Sequence, residues 1–148
     1  MSTSTPAPAV PASNLTTLIA IYEAFGRGDI PSLLGLLSDD VSFEASEPPS
    51  TAAAAGHPLL SVRQGKGEVA GFFTEVGRCE LHSFDILHMF SGDGQAAVHV
   101  RIDLTTPAGI RIVDDEMHRW EFDDAGRAVS MKHYADTAKH LAAWFPER

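Results

Sequence analysis

The apolar residues of this chain change period once, from a helical spacing in the first half to a strand spacing in the second. Leu15, Leu18, Ile19, Tyr22 and Phe25 recur at three- and four-residue steps, which lines one face of a helix. Ser13 or Asn14 can cap that helix, and Gly26 and Gly28 end it, because glycine takes the left-handed C-cap conformation. Asp29 caps a second helix with Pro31 near its first position, and Leu33, Leu34, Leu36 and Leu37 supply its buried face. Asp39 and Asp40 turn the chain into a short strand over 41–45. Residues 46–63 hold three prolines, four consecutive alanines and no sustained period. They predict a long loop with one alanine-rich turn, a candidate mouth or lid. Val69, Phe72, Phe73 and Val76 share one side of a third helix over 68–77.

From Cys79 onward the period is two. Strands are predicted over 80–90, 96–105, 110–122 and 128–135. The segments between them carry the Gly, Asp and Pro residues of hairpin turns, so the sheet is expected to be antiparallel. Asp136 or Thr137 caps a closing helix with Leu141, Trp144 and Phe145 as its apolar side. Three helices followed by a meander make an α+β layout, a curved antiparallel sheet wrapped around a long first helix.

Residues 2–12 read STSTPAPAVPA, too little apolar surface to offset the entropy of ordering. A disordered leader over 1–12 and a single domain over 13–148 are therefore expected. The first 13 residues have neither a basic region nor an apolar core, so a signal peptide is not expected. Of the 148 residues, 44% are hydrophobic and 21% charged, the composition of a globular protein. No apolar run approaches the ~18 residues of a membrane helix. Lys and Arg number 11 against 20 Asp and Glu, a formal charge of −9. That field repels phosphate backbones and anionic lipid, which argues against nucleic acid and membrane partners. A single cysteine, Cys79, has no internal disulfide partner and fits a reducing, cytoplasmic setting.

The segments YEAFGRGDIPSLLGLLSDDVSFE, GKGEVAGFF and WEFDDAGRAVSMKHYADT resemble the nuclear transport factor 2-like superfamily, and within it ketosteroid-isomerase-related and SnoaL-like proteins. The resemblance spans 14–145. It implies a cone, a strongly bent sheet closed on one side by helices around an apolar cavity. It also implies one of several activities, since isomerases, cyclases, dehydratases, epoxide hydrolases and proteins with no known catalysis share the scaffold. The steroid isomerases' general-base aspartate falls on Ala45, which cannot accept a proton. Their oxyanion tyrosine falls on Ile21, one place before Tyr22, and their second oxyanion donor falls on His118. Pairing of two subunits through the outer sheet face, with His99, Arg101 and Asp103 on it, is also implied.

The third meander strand carries the densest polar signal. Asp114, Glu116, His118 and Trp120 alternate onto one side, which the resemblance makes the cavity side. On the preceding strand Val98, Val100, Ile102 and Leu104 form an apolar face that must line the interior. On the last strand Met131 and His133 alternate with Lys132 and Tyr134, so His133 can face His118. His118 is the candidate acid or base, with Glu116 and His133 tuning it. Tyr22, Trp120, Val100 and Met131 are expected as substrate-contacting walls, and Asp114 is expected near the open rim. A solvated strand face or a structural hydrogen-bond network is the competing reading of the same residues.

The seven histidines show neither an HExxH motif nor a paired Cys/His spacing, and Gly65-Lys66-Gly67 follows no βαβ unit, so neither metal nor cofactor is expected. The sequence thus points to a cofactor-independent enzyme that binds a small hydrophobic carbonyl compound and isomerises, cyclises or dehydrates it. A non-catalytic ligand-binding or assembly module is the alternative.

Overall fold

The structure, a computed structural model, describes residues 11–45 and 50–147. Its elements run α1 (Pro11–Gly26), α2 (Ile30–Leu34), β1 (Leu37–Ala45), α3 (Thr51–Ala54), β2 (Arg63–Gln64), α4 (Gly65–Val76), β3 (Glu80–Gly92), β4 (Gln95–Thr105), β5 (Arg111–Phe122), β6 (Ala128–Tyr134) and α5 (Thr137–Trp144). The fold is α+β, a mixed open sheet of six strands in the order β2-β1-β6-β5-β4-β3 with helices packed on it. Residues 1–10 of the expected leader lie outside the described residues, and α1 begins two residues before the boundary expected for it.

The sheet differs from an all-antiparallel one. β3 to β6 form an antiparallel meander, but β1 lies parallel to β6, with Phe43 opposite Met131 and Ala45 opposite His133. Hairpin turns fix only the direction of strands adjacent in sequence. β1 enters from the helical half and fills the open edge of β6, so its direction follows from the crossover instead. Leu37, expected in the second helix, belongs to this strand and is fully buried.

Local chemistry sets the ends of the elements. The Asp29 carboxylate accepts from Ser32 N at 3.2 Å and Pro31 occupies the first turn of α2. The Asp136 carboxylate accepts from Lys139 N at 3.1 Å and starts α5. Asp93 and Gly94 both take positive φ, 53° and 73°, the conformation a two-residue hairpin needs to match strand twist. Leu18, Ile21 and Ala24 of α1 pack with Val98, Val100 and Trp120 of the sheet in one core. Each buried Leu, Ile or Val among them contributes about 1.5–3 kcal/mol.

α5 departs from its expected face. Its buried residues are His140 and Ala143, whereas Trp144 and Leu141 are only partly buried. A polar side chain thus points from this helix into the protein, and the candidate site explains why.

Candidate active site

β5 turns Asp114, Glu116, His118 and Trp120 inward, all at most 8% exposed. A cavity of about 80 Å³ opens against the second half of this strand. Its walls are apolar, with Phe25 from α1, Phe72 and Phe73 from α4, and Leu81 and Phe84 from β3. Leu59, from the segment expected to be a mouth or lid, also reaches it. The polar residues sit together on one wall: Tyr22, Glu116, His118, Trp120 and His133.

These groups form a directed chain of hydrogen bonds. The Trp120 indole, which can only donate, bonds the Tyr22 hydroxyl at 3.0 Å. The Tyr22 hydroxyl lies 2.7 Å from His118 Nδ1, and we assign its proton to that nitrogen, which gives the buried hydroxyl an acceptor. Nε2 of His118 therefore carries the ring hydrogen, the tautomer also favoured by the carboxylate of Glu116 3.6 Å away. That separation is longer than a standard hydrogen bond, so Glu116 holds the Nε2–H only weakly and leaves it available to a closer acceptor. Burial holds the His118 ring below its ordinary value, against the opposing pull of Glu116, and so keeps it neutral near pH 7. Burial likewise raises the Tyr22 hydroxyl far above its usual range, so it stays protonated.

Glu116 is the hub. Its Oε1 lies 2.7 Å from His133 Nε2 and its Oε2 lies 2.9 Å from His140 Nε2. Burial by itself would raise this carboxyl, but the three histidines around it hold it well below the usual carboxylate range. His140 Nε2 also lies 2.9 Å from Asp114 Oδ2. Burial opposes the charge on His140, yet its bonds to Asp114 and Glu116 push it up to about 9. The imidazolium of His140 therefore neutralises a negative charge at the back of the cavity.

Asp114 does not stand near a rim. It is 2% exposed, accepts from Asp115 N at 3.0 Å and Asp136 N at 3.2 Å, and does not line the cavity. Its place beyond Glu116 on the strand puts it under the start of α5, where it anchors that helix. Val100 also stays out of the cavity: it lies opposite Glu116 in the register but is fully buried in the core with α1. Tyr22, Trp120 and Met131 do line the cavity, as does Ile21.

Two histidines of this region escaped sequence reasoning, His140 and His57. A signal existed for His140: it shares a helical face with Ala143 and Trp144. His57, fully buried, packs 4.3 Å from the Trp144 ring and 5.4 Å from the His140 ring, centre to centre. Its Nδ1 accepts from Leu59 N at 3.1 Å, and burial, then the charge of His140, pushes it down to about 3. Its Nε2–H, with Nδ1 of His133 and of His140, has no partner among the described residues.

On β1, Phe43 lines the cavity, whereas Ala45, paired with His133 of β6, does not line it and offers no proton acceptor. The polar chemistry therefore comes from β5, β6, α1 and α5.

A conical sheet closed by helices over an apolar cavity, with its polar groups on one wall, defines a class of small-molecule-binding folds. The SnoaL-like domain family matches residues 18–131, and the chain belongs to that family. Among solved structures, an NTF2-like protein of unknown function from Burkholderia pseudomallei K96243 superposes with a TM-score of 0.76 at 23% identity, covering 91% of this chain and 99% of that one. TerC co-crystallised with polyporic acid gives 0.72 at 20%, over 89% and 98%. The Delta 5-3-ketosteroid isomerase from Mycobacterium sp. gives 0.66 at 19%, over 85% and 95%. At these identities the likeness is one of fold. Among curated proteins none matches this chain significantly. No helix among the described residues is long and apolar enough to cross a membrane.

Proposed function

We propose that the chain is an enzyme that binds an apolar or polycyclic carbonyl compound in the cavity and moves protons around the carbonyl, in an isomerisation, cyclisation or dehydration. The weakly held Nε2–H of His118, positioned by the Tyr22–Trp120 relay within an apolar wall, carries this reading. It donates to the substrate oxygen on which negative charge builds, in surroundings dry enough to strengthen the bond. The Glu116–His133 pair takes the proton released from the neighbouring carbon. The His140 imidazolium offsets the charge of Glu116, which would otherwise oppose an oxyanion nearby. Support also comes from the family, and from relatives of the same fold that include an isomerase and a protein crystallised with polyporic acid.

A non-catalytic ligand-binding module is the second reading, favoured by Ala45 at the position where a base is expected. Proton nuclear magnetic resonance in D2O separates the two. An enzyme accelerates deuterium incorporation next to the carbonyl of hydroxyquinones or polycyclic ketones, whereas a binder quenches tryptophan fluorescence with the same compounds and leaves their exchange unchanged. Homodimerisation through the outer sheet face completes the proposal. Arg111 pairs bidentately with Asp103 there, His99 with Asp115, and Leu87 and Phe90 of β3 are 43% and 54% exposed.

A further inference from the structure

We infer that Glu116, His118 and His133 form a binding site for a first-row divalent cation such as zinc or iron(II). The sequence hides it, because the third ligand is 15 positions past the second, across a hairpin turn, and no motif spans that gap. The β5–β6 register places His118 opposite His133, and Glu116 lies two residues before His118 on the same face. A ring nitrogen of each histidine and a Glu116 oxygen lie within 4.8 Å of one another, all three residues buried. Glu116 Oε1 is 2.7 Å from His133 Nε2 and 3.6 Å from His118 Nε2. An ion bound at about 2.1 Å to each separates neighbouring ligand atoms by roughly 3.0–3.4 Å, so shifts of a few tenths of an ångström at these contacts accommodate it.

Two imidazoles and one carboxylate are a donor set for zinc and iron(II) rather than calcium or magnesium. The three residues supply one side of a coordination sphere and all line the cavity, which leaves the remaining positions for water or a ligand. The Tyr22 hydroxyl supplies the outer support: with Nε2 on the ion, the ring hydrogen of His118 moves to Nδ1 and Tyr22 Oη accepts it at 2.7 Å. A second group of possible ligands, Asp114, Glu116 and His140, is less suited. Neither Asp114 nor His140 lines the cavity, and both Asp114 oxygens already accept from backbone amides.

For its chemistry the inference rests on the proton-transfer reading: a cation here binds the substrate oxygen as a Lewis acid, in the place of the His118 Nε2–H. For its geometry it rests on the ligand atoms alone. The test uses the full-length chain and no substrate. After chelator treatment, the protein is dialysed against cobalt(II) and its cobalt content and visible spectrum are measured. One equivalent should be retained, with d–d absorption, and affinity should fall by about 100-fold or more in both His133→Ala and Glu116→Gln. A double His88→Ala, His99→Ala variant should retain it; these exposed stacked rings are the competing surface site.

Should the cavity variants not fold, wild-type protein decides. Its cobalt form should show two hyperfine-shifted exchangeable imidazole N–H protons, one from each ligating ring. Retention of less than stoichiometric cobalt, loss of binding in the surface double variant, or any other number of shifted N–H protons would overturn the inference. Deuterium exchange into substrate that persists in chelator would leave the proton-transfer reading standing alone.

Discussion

The Tyr22 hydroxyl and His118 Nδ1 meet at 2.7 Å although 96 residues separate them in the chain. One comes from the first helix and the other from the centre of the sheet, so folding itself sets the tautomer of the candidate catalytic ring. Tyr22→Phe removes the proton that fixes it and strands the indole N–H of Trp120, which bonds the same oxygen at 3.0 Å. Loss of about 1–3 kcal/mol is expected from urea unfolding, together with slower deuterium exchange into a ketone substrate. An unchanged exchange rate in a destabilised variant would make the relay purely structural.

His140 joins α5 to β5 through Asp114 and Glu116, both at 2.9 Å. His140→Gln keeps a hydrogen-bond donor but removes the cation, and leaves two buried carboxylates undercompensated. A loss of about 3 kcal/mol is expected. Chemical denaturation checks the magnitude, and a change under 1 kcal/mol would show that Lys139 and the backbone amides suffice.

The buried histidines predict a stability maximum in pH. Unfolded histidine titrates near 6.5. His57, pushed down to about 3 by burial and then by His140, refuses a proton that the unfolded chain accepts, so its contribution is lost as pH falls from about 6.5 towards 3. Burial sets His118 in the same direction. Glu116, held low against burial by its histidines, adds a loss at more acid pH. His140 has the opposite sign. Despite burial, its carboxylate partners raise it to about 9, so its contribution is full below about 6.5 and is lost as pH rises through 9. Melting temperature should therefore peak near pH 6.5 and fall on both flanks, more steeply on the acid one. A flat profile from pH 4 to 9 would refute this assignment of protons.

Pairing through the outer sheet face predicts a particle of about twice the chain mass of 15.9 kDa. Light scattering at micromolar concentration measures it directly. A monomer would return Leu87 and Phe90 to solvent.

Much of the architecture is legible in the chain because local chemistry dictates it. Period-two spacing around Val98 to Leu104 and Asp114 to Trp120 marks strands and their faces, and Asp93-Gly94 marks a turn. The parallel docking of β1 on β6 is not legible, since it depends on which sheet edge is left open. At the site, the strand face holding Glu116, His118 and Trp120 could be read from alternation alone. The partners that give those residues their protons could not. Tyr22 looks like one more aromatic of a helix stripe, and His140 looks like a surface histidine beside Leu141 until α5 is laid over β5. The expectation of Asp114 at the rim fails because strand alternation fixes a side chain's face but not its depth along the cone.

The most direct measurement concerns His118. Kinetics and thermal unfolding of His118→Ala, on a substrate whose deuterium exchange the wild-type protein accelerates, separate chemistry from structure in one variant. A proton-transfer role predicts turnover lower by roughly 10²–10⁴ with a folded protein, and partial recovery in His118→Gln, which retains a hydrogen-bond donor. Unchanged turnover, with stability lower by about 1–3 kcal/mol from the stranded Tyr22 hydroxyl, would contradict it.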